Sequence, residues 1–224
     1  MTITINGQLL LCMLAEKLMQ IPDLYMIQIN TDGVTVKYPR HLEGYVTQTC
    51  EWWQDLTSLD LEDVDYSRMF IRDVNNYIAE STMGKIKRKG AYEYDMGWNQ
   101  NPSALVVQKA AEAALLHGAP VETFIYQHQD VMDFMLRTKV PRSSELYLDD
   151  RRLQNICRYY ISVTGGKLYK KMPPLPGKTD KRKIGINVEW LVSECNNMKD
   201  YHPGNINYIY YISEAKKLVD PLIN

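Results

Sequence analysis

Residues 25–36 read Tyr25-Met26-Ile27-Gln28-Ile29-Asn30-Thr31-Asp32-Gly33-Val34-Thr35-Val36, two apolar runs on either side of one acidic turn. The apolar run from Leu24 to Asn30 fits a short strand. Thr31-Asp32-Gly33 is turn chemistry, because Gly tolerates positive φ and Asp bonds its own backbone. Val34, Val36 and Tyr38 then alternate with Thr35 and Lys37, as in a half-buried return strand. The pattern predicts a β-hairpin with an acidic tip.

Helices are expected on either side. Upstream, Leu10, Leu11, Leu14 and Leu18 recur at helical spacing over residues 8–19, and Pro22 closes the segment. Downstream, residues 39–56 carry Leu42, Tyr45, Val46, Cys50, Trp53 and Leu56 on one helical face. Residues 65–79 are rich in β-formers and read as one or two strands, and residues 85–94 as a basic, aromatic strand or loop.

Asn101-Pro102 has the form of a helix start, with Asn as N-cap and Pro at the first helical position. That helix is expected to run through Lys109 and Glu112 to His117, with Gly118 ending it. A second should run from Pro120 to about Leu136. Residues 156–163 and 168–171 read as strands joined at Gly165-Gly166. The break Pro173-Pro174-Leu175-Pro176-Gly177 precedes the basic residues Lys178, Lys181, Arg182 and Lys183. A final helix is expected over residues 205–222, with Tyr208, Tyr211, Ile212, Ala215 and Leu218 on its buried face. The composition shifts near residues 96–101, which sets an expected domain boundary between 1–95 and 96–224.

The chain has 224 residues, enough for one large domain or two small ones, and a formal net charge of −1. A protein that binds nucleic acid by itself usually has a basic balance, so such binding must come from local clusters here. Four cysteines form no Cys-x-x-Cys pair and four histidines are scattered, which argues against a zinc site or a disulfide framework. No apolar run approaches the ~18 residues of a membrane span, and no signal-peptide pattern opens the chain. A cytoplasmic protein is expected.

An aspartate on a tight turn between apolar strands sits on a rigid platform, and its carboxylate can hold a divalent cation against a phosphate. The same tetrapeptide is also ordinary turn sequence. Around it, the order helix, strand, acidic turn and return strand resembles the palm motif of bacteriophage family B DNA polymerases. Their hairpin tip is usually Asp-Thr-Asp-Ser, and the second Asp is the essential metal ligand. Asp32 falls on that position. Asn30 stands in place of the first Asp and offers an uncharged carbonyl oxygen, and Gly33 stands in place of Ser.

The resemblance continues at Lys85-Ile86-Lys87-Arg88-Lys89-Gly90-Ala91-Tyr92, which looks like the family's Lys-x-Tyr motif at the palm–thumb join. It implies that Lys85, Lys87, Arg88, Lys89 and Tyr92 hold primer–template DNA, with the cations neutralising phosphates. Read without the family, the same stretch is a solvated edge strand made basic to block aggregation. Residues 101–110 resemble the thumb helix, with Gln108 where the family often has Pro, and residues 121–125 and 210–218 fit further thumb helices. Asp73 is a weaker candidate carboxylate, and Arg158, Lys170, Lys171 and the Lys178–Lys183 run are candidates to track a duplex backbone. The likeness is diffuse between residues 140 and 200.

The implied fold class is therefore α+β: a partial palm of hairpin, strands and helices, then a mainly helical thumb with a small β insert. The implied activity is DNA-directed DNA polymerisation by two Mg2+ ions on a dNTP, with Asp32 and Asn30 as metal ligands and Asp32 catalytic. Two-metal transfer needs carboxylates from at least two elements. The family's earlier palm strand, fingers and exonuclease find no counterpart in this sequence, so activity is expected to need a partner chain. The alternatives are a non-catalytic DNA-binding accessory module derived from a thumb, and a helical interaction protein with no nucleic-acid role.

Overall fold

The computed structural model describes residues 2–96 and 103–223. Helices and antiparallel sheets alternate along the chain, and the fold class is α+β. The chain divides into two compact units, Met1–Asn75 with Ala79–Ile86, and Asn76–Ile78 with Lys87–Asn224.

In the first unit, α1 (Thr2–Leu18) is followed by the hairpin β1 (Tyr25–Ile29) and β2 (Val34–Lys37). A short 3-10 turn, Arg40–Leu42, leads into α2 (Glu43–Thr57), and β3 (Tyr66–Asp73) follows. Leu11, Leu14 and Leu18 of α1 bury against Val46 and Trp53 of α2, and Met26, Val34 and Val36 of the hairpin pack on this cluster. The Trp53 indole donates to the Leu10 carbonyl at 2.8 Å, so the largest ring in the cluster has its polar atom satisfied. The apolar stripe of α2 is narrower than the sequence suggested: Tyr45 and Leu56 are exposed. Leu42, Val46, Cys50 and Trp53 recur every three or four residues and suffice for one face.

The strands β3, β4 (Asn76–Ser81) and β5 (Ile86–Lys89) lie in that order in a three-stranded sheet, and the division between the units runs through β4 and β5. The Asp73 carboxylate accepts from the Asn75 backbone at 2.9 Å, which makes it a turn-forming residue.

In the second unit, α3 (Leu105–His117) packs on α5 (Tyr208–Ile223) and on α4 (Val121–Gln127). Asn101 and Pro102 lie outside the described residues. The helix itself starts at Leu105, behind Ala104 at φ 51°, whose N–H donates to the Met135 carbonyl. Gly118, at φ 66°, ends it as expected.

The segment expected to stay helical to about residue 136 does not. After α4 the chain is extended at His128, Asp130 caps a 3-10 turn over Val131–Phe134, and residues 136–139 become a strand. The Asp130 carboxylate takes the Met132 N–H at 2.9 Å, offering the backbone a local alternative to continued helix.

The β content of this unit is extensive. Strands β6 (Leu136–Lys139), β9 (Ile156–Ser162) and β12 (Leu191–Glu194) form a sheet of order β12-β9-β6. Strands β7 (Glu145–Leu148), β8 (Arg151–Leu153), β10 (Leu168–Met172) and β11 (Arg182–Ile186) form a second of order β11-β10-β7-β8. The Gly165-Gly166 joint is sterically required. Gly165 adopts φ 104°, and a Cβ there would lie 2.3 Å from the Val192 carbonyl oxygen.

Tyr211 of α5 organises the core of this unit. Its hydroxyl donates to the Phe134 carbonyl at 2.7 Å and accepts from the Ile161 N–H at 3.0 Å, and its ring meets Phe134 edge-on. Tyr211, Ala215, Leu218 and Val219 are buried along α5, while Tyr208 and Ile212 are half-buried. No helix of the described residues is long and apolar enough to cross a membrane.

Candidate metal centre and nucleic-acid interface

The hairpin pairs Tyr25 with Lys37 and Ile29 with Val34, with a register shift between Met26 and Gln28. Its tip closes with the Asn30 N–H donating to the Gly33 carbonyl at 2.7 Å. No residue of the tip has a positive φ, so Gly33 does not use the freedom its type allows. Asp32 is exposed.

Side chains alternate along β1 as strand geometry requires. Met26, Gln28 and Asn30 are half-buried, whereas Tyr25, Ile27 and Ile29 are 64, 42 and 42% exposed. The Gln28 Oε1 and Asn30 Oδ1 atoms are shielded from solvent and have no hydrogen-bond donor. A shielded acceptor without a donor costs about 1–3 kcal/mol, so an approaching cation or N–H would be favoured there. Asp32 and Asn30 supply oxygen donors of the kind Mg2+ accepts. One carboxylate falls short of the two that a two-metal centre needs. Among the described residues, no three His, Cys, Asp or Glu side chains come together as a metal-holding group.

The basic stretch is divided by strand alternation. Lys85, Lys87 and Lys89 are exposed, and the Lys87 amine lies 6.0 Å from the Tyr77 ring centroid. Arg88 points the other way and is committed within the fold. Its Nε donates to Glu112 Oε2 at 2.5 Å, and Nη2 donates to Glu112 Oε1 and to the Tyr94 hydroxyl, both at 2.8 Å. Its Nη1 donates to Asp95 at 2.8 Å. The hydrogen bond to Glu112 raises the Arg88 pKa. Burial first, and the hydrogen bond to Glu112 second, push the Tyr94 phenol up to about 12.

Tyr92 is 1% exposed, and its hydroxyl donates to the Leu218 carbonyl at 2.9 Å. The expectation that Arg88 and Tyr92 face a DNA backbone is corrected by these partners. Both side chains hold the second unit together, and the surface cations of the stretch are the three lysines.

Two features of the second unit escaped sequence reasoning. In one, the Asp133 carboxylate, 5% exposed, accepts from Lys109 at 2.6 Å and meets His128 Nε2 at 2.5 Å. The partners lie 24 and 5 residues away, with no pattern to link them. In the other, Tyr147 and Tyr169 stack across β7 and β10 with lysines over their rings. The alternation Glu145-Leu146-Tyr147-Leu148 was a legible signal for the first of these strands. Comparison with known proteins finds no matching family model and no matching curated protein.

Proposed function

We propose that this chain is the C-terminal part of a family B-like DNA polymerase, the half-palm and thumb, acting with a partner chain. The observation that carries the reading is the acidic-tipped hairpin seated on two helices, with the Asp32 carboxylate exposed at its tip. In this reading Asp32, aided by the Asn30 carbonyl oxygen, holds Mg2+ at the primer end, and the exposed Lys85, Lys87 and Lys89 contact primer–template DNA. The partner supplies the second carboxylate and the residues that grip the dNTP. The outward Tyr25, Ile27 and Ile29 are the apolar surface on which such a partner would be seated. The setting is the cytoplasm, that of the host cell for a phage-encoded chain.

A second reading has its own observation. Asn30 in place of a carboxylate leaves Asp32 without a second charged ligand, which favours a non-catalytic DNA-binding module. Primer extension by the chain together with its copurifying partner separates the two. Polymerase activity abolished by Asp32→Ala supports the first reading. Full activity after Asp32→Ala rejects it.

A further inference from the structure

We propose that the loop between β10 and β11 is a docking ridge for a protein partner. Its ligand is the polyproline II segment Pro173-Pro174-Leu175-Pro176, and its receptor is an aromatic-lined groove of the SH3 type with carboxylates at its rim. The ridge is independent of the polymerase reading.

The backbone of this stretch has little choice of conformation. Proline holds φ at about −65°, which applies to residues 173, 174 and 176. A residue before proline is pushed out of the helical region into the extended one, which applies to Met172, Pro173 and Leu175. Residues 173–175 accordingly run without a bend and belong to neither helix nor strand. Pro176 then opens a turn. The Lys178 N–H donates to the Leu175 carbonyl at 2.9 Å, and Gly177 takes φ 79°. That is a type II turn, whose first central residue has ψ of about 120° and stays close to polyproline II.

Polyproline II repeats after roughly three residues and 9 Å. Met172-Pro173 and Leu175-Pro176 are therefore equivalent apolar–proline pairs, one turn apart on one edge of the ridge. Pro-x-x-Pro ligands dock by that edge against aromatic side chains.

The ridge is offered to solvent and anchored at its base. Residues 174–180 are exposed, Leu175 by 44%. Proline has no N–H to give, so the β10–β11 ladder ends at the Met172–Arg182 pair. The Arg182 Nε donates to the Pro173 carbonyl at 3.2 Å, which ties the start of the ridge to β11. A ridge held in its binding conformation loses less entropy on docking than a free peptide does.

Charge selects the receptor. Lys178 follows the second proline by two residues, in the order Pro-x-x-Pro-x-Lys. Lys181 is held by Glu145 at 3.0 Å, whereas Lys178 has no ion pair among the described residues. The turn brings Lys178 back to the end of the ridge, where a rim of carboxylates would meet it.

The test is fluorescence polarisation of a labelled SH3 domain that takes Pro-x-x-Pro-x-Lys ligands, titrated with the full chain and with a free peptide of residues 170–180. Saturable binding of the chain, at least as tight as that of the peptide, is expected. Pro173→Ala/Pro176→Ala in the chain should weaken it about tenfold or more, as loss of a central anchor does. Lys178→Glu, a change at an exposed position, should weaken it about tenfold, most at low salt. Lys178→Arg and Thr179→Ala should retain binding, and melts equal to the parent's guard against loss through misfolding. Binding of the peptide but not of the chain would overturn the proposal, because the fold would then withhold the ridge. Binding of neither would overturn it as well. Loss through Lys178→Glu with none through the proline pair would also overturn it, since the contact would then be one of charge alone.

Discussion

Arg88 and Glu112 are joined at two points, Nε to Oε2 at 2.5 Å and Nη2 to Oε1 at 2.8 Å, across 24 residues of sequence. Their side chains are 18 and 11% exposed, so each is a nearly buried charge that depends on the other. Glu112→Ala should destabilise the protein by about 3 kcal/mol, because it strands the guanidinium. Arg88→Met/Glu112→Leu should recover much of the loss. Urea unfolding of the two variants checks the sign and the recovery.

Tyr92→Phe removes the hydroxyl that donates to the Leu218 carbonyl. The expected loss is about 1 kcal/mol of stability with no change in DNA affinity. A variant of normal stability with weaker DNA binding would restore Tyr92 to the interface.

Asp32 is exposed at the hairpin tip. Asp32→Ala should therefore change stability by less than about 0.5 kcal/mol. In the partnered chain the same change should remove Mg2+-dependent primer extension. Thermal melting and extension assays on one preparation separate the two effects.

Gly165→Ala places a methyl group against the Val192 carbonyl at a backbone angle that L-residues avoid. A loss of about 2 kcal/mol or more is expected. Gly33→Ala meets no atom within 4 Å and should be close to neutral. Parallel melts of the two variants test whether the tip glycine is needed for the fold.

Alkali should weaken the fold through its tyrosines. Tyr94, Tyr201 and Tyr210 are pushed up to about 12, chiefly by burial, and Tyr159 and Tyr211 go higher still. A phenol whose folded pKa exceeds its unfolded value of 10 adds stability that is fully present below pH 10. That stability is lost as pH rises from 10 towards 12. Stability measured against pH should fall in that window, and phenolate absorbance should rise in step with unfolding.

The hairpin and its helices were legible because each carries its own period. Alternation over residues 25–38 and recurrence of Leu10, Leu14 and Leu18 are local patterns that burial of one face imposes. The second unit was less legible. Strands β7, β8, β11 and β12 are three to five residues long, too short for alternation to separate them from loop. The end of α4 turned on the Asp130 carboxylate, a cap that resembles any surface aspartate in sequence.

For the candidate site, the amino-acid order determined that an acidic turn joins two apolar strands and that five cation or phenol side chains lie within residues 85–92. Asp32 stays exposed because a hairpin tip has no second layer to cover it. Which of the basic stretch faces outward was decided only by tertiary packing. Glu112, Tyr94 and Leu218 lie 24, 6 and 126 residues from their partners, and they draw Arg88 and Tyr92 inward while the alternating lysines stay in solvent. The same holds for the Tyr147–Tyr169 stack. Two tyrosines 22 residues apart become one platform only when β7 and β10 pair in register, because hydrogen-bonded strands bring distant residues within 5–6 Å.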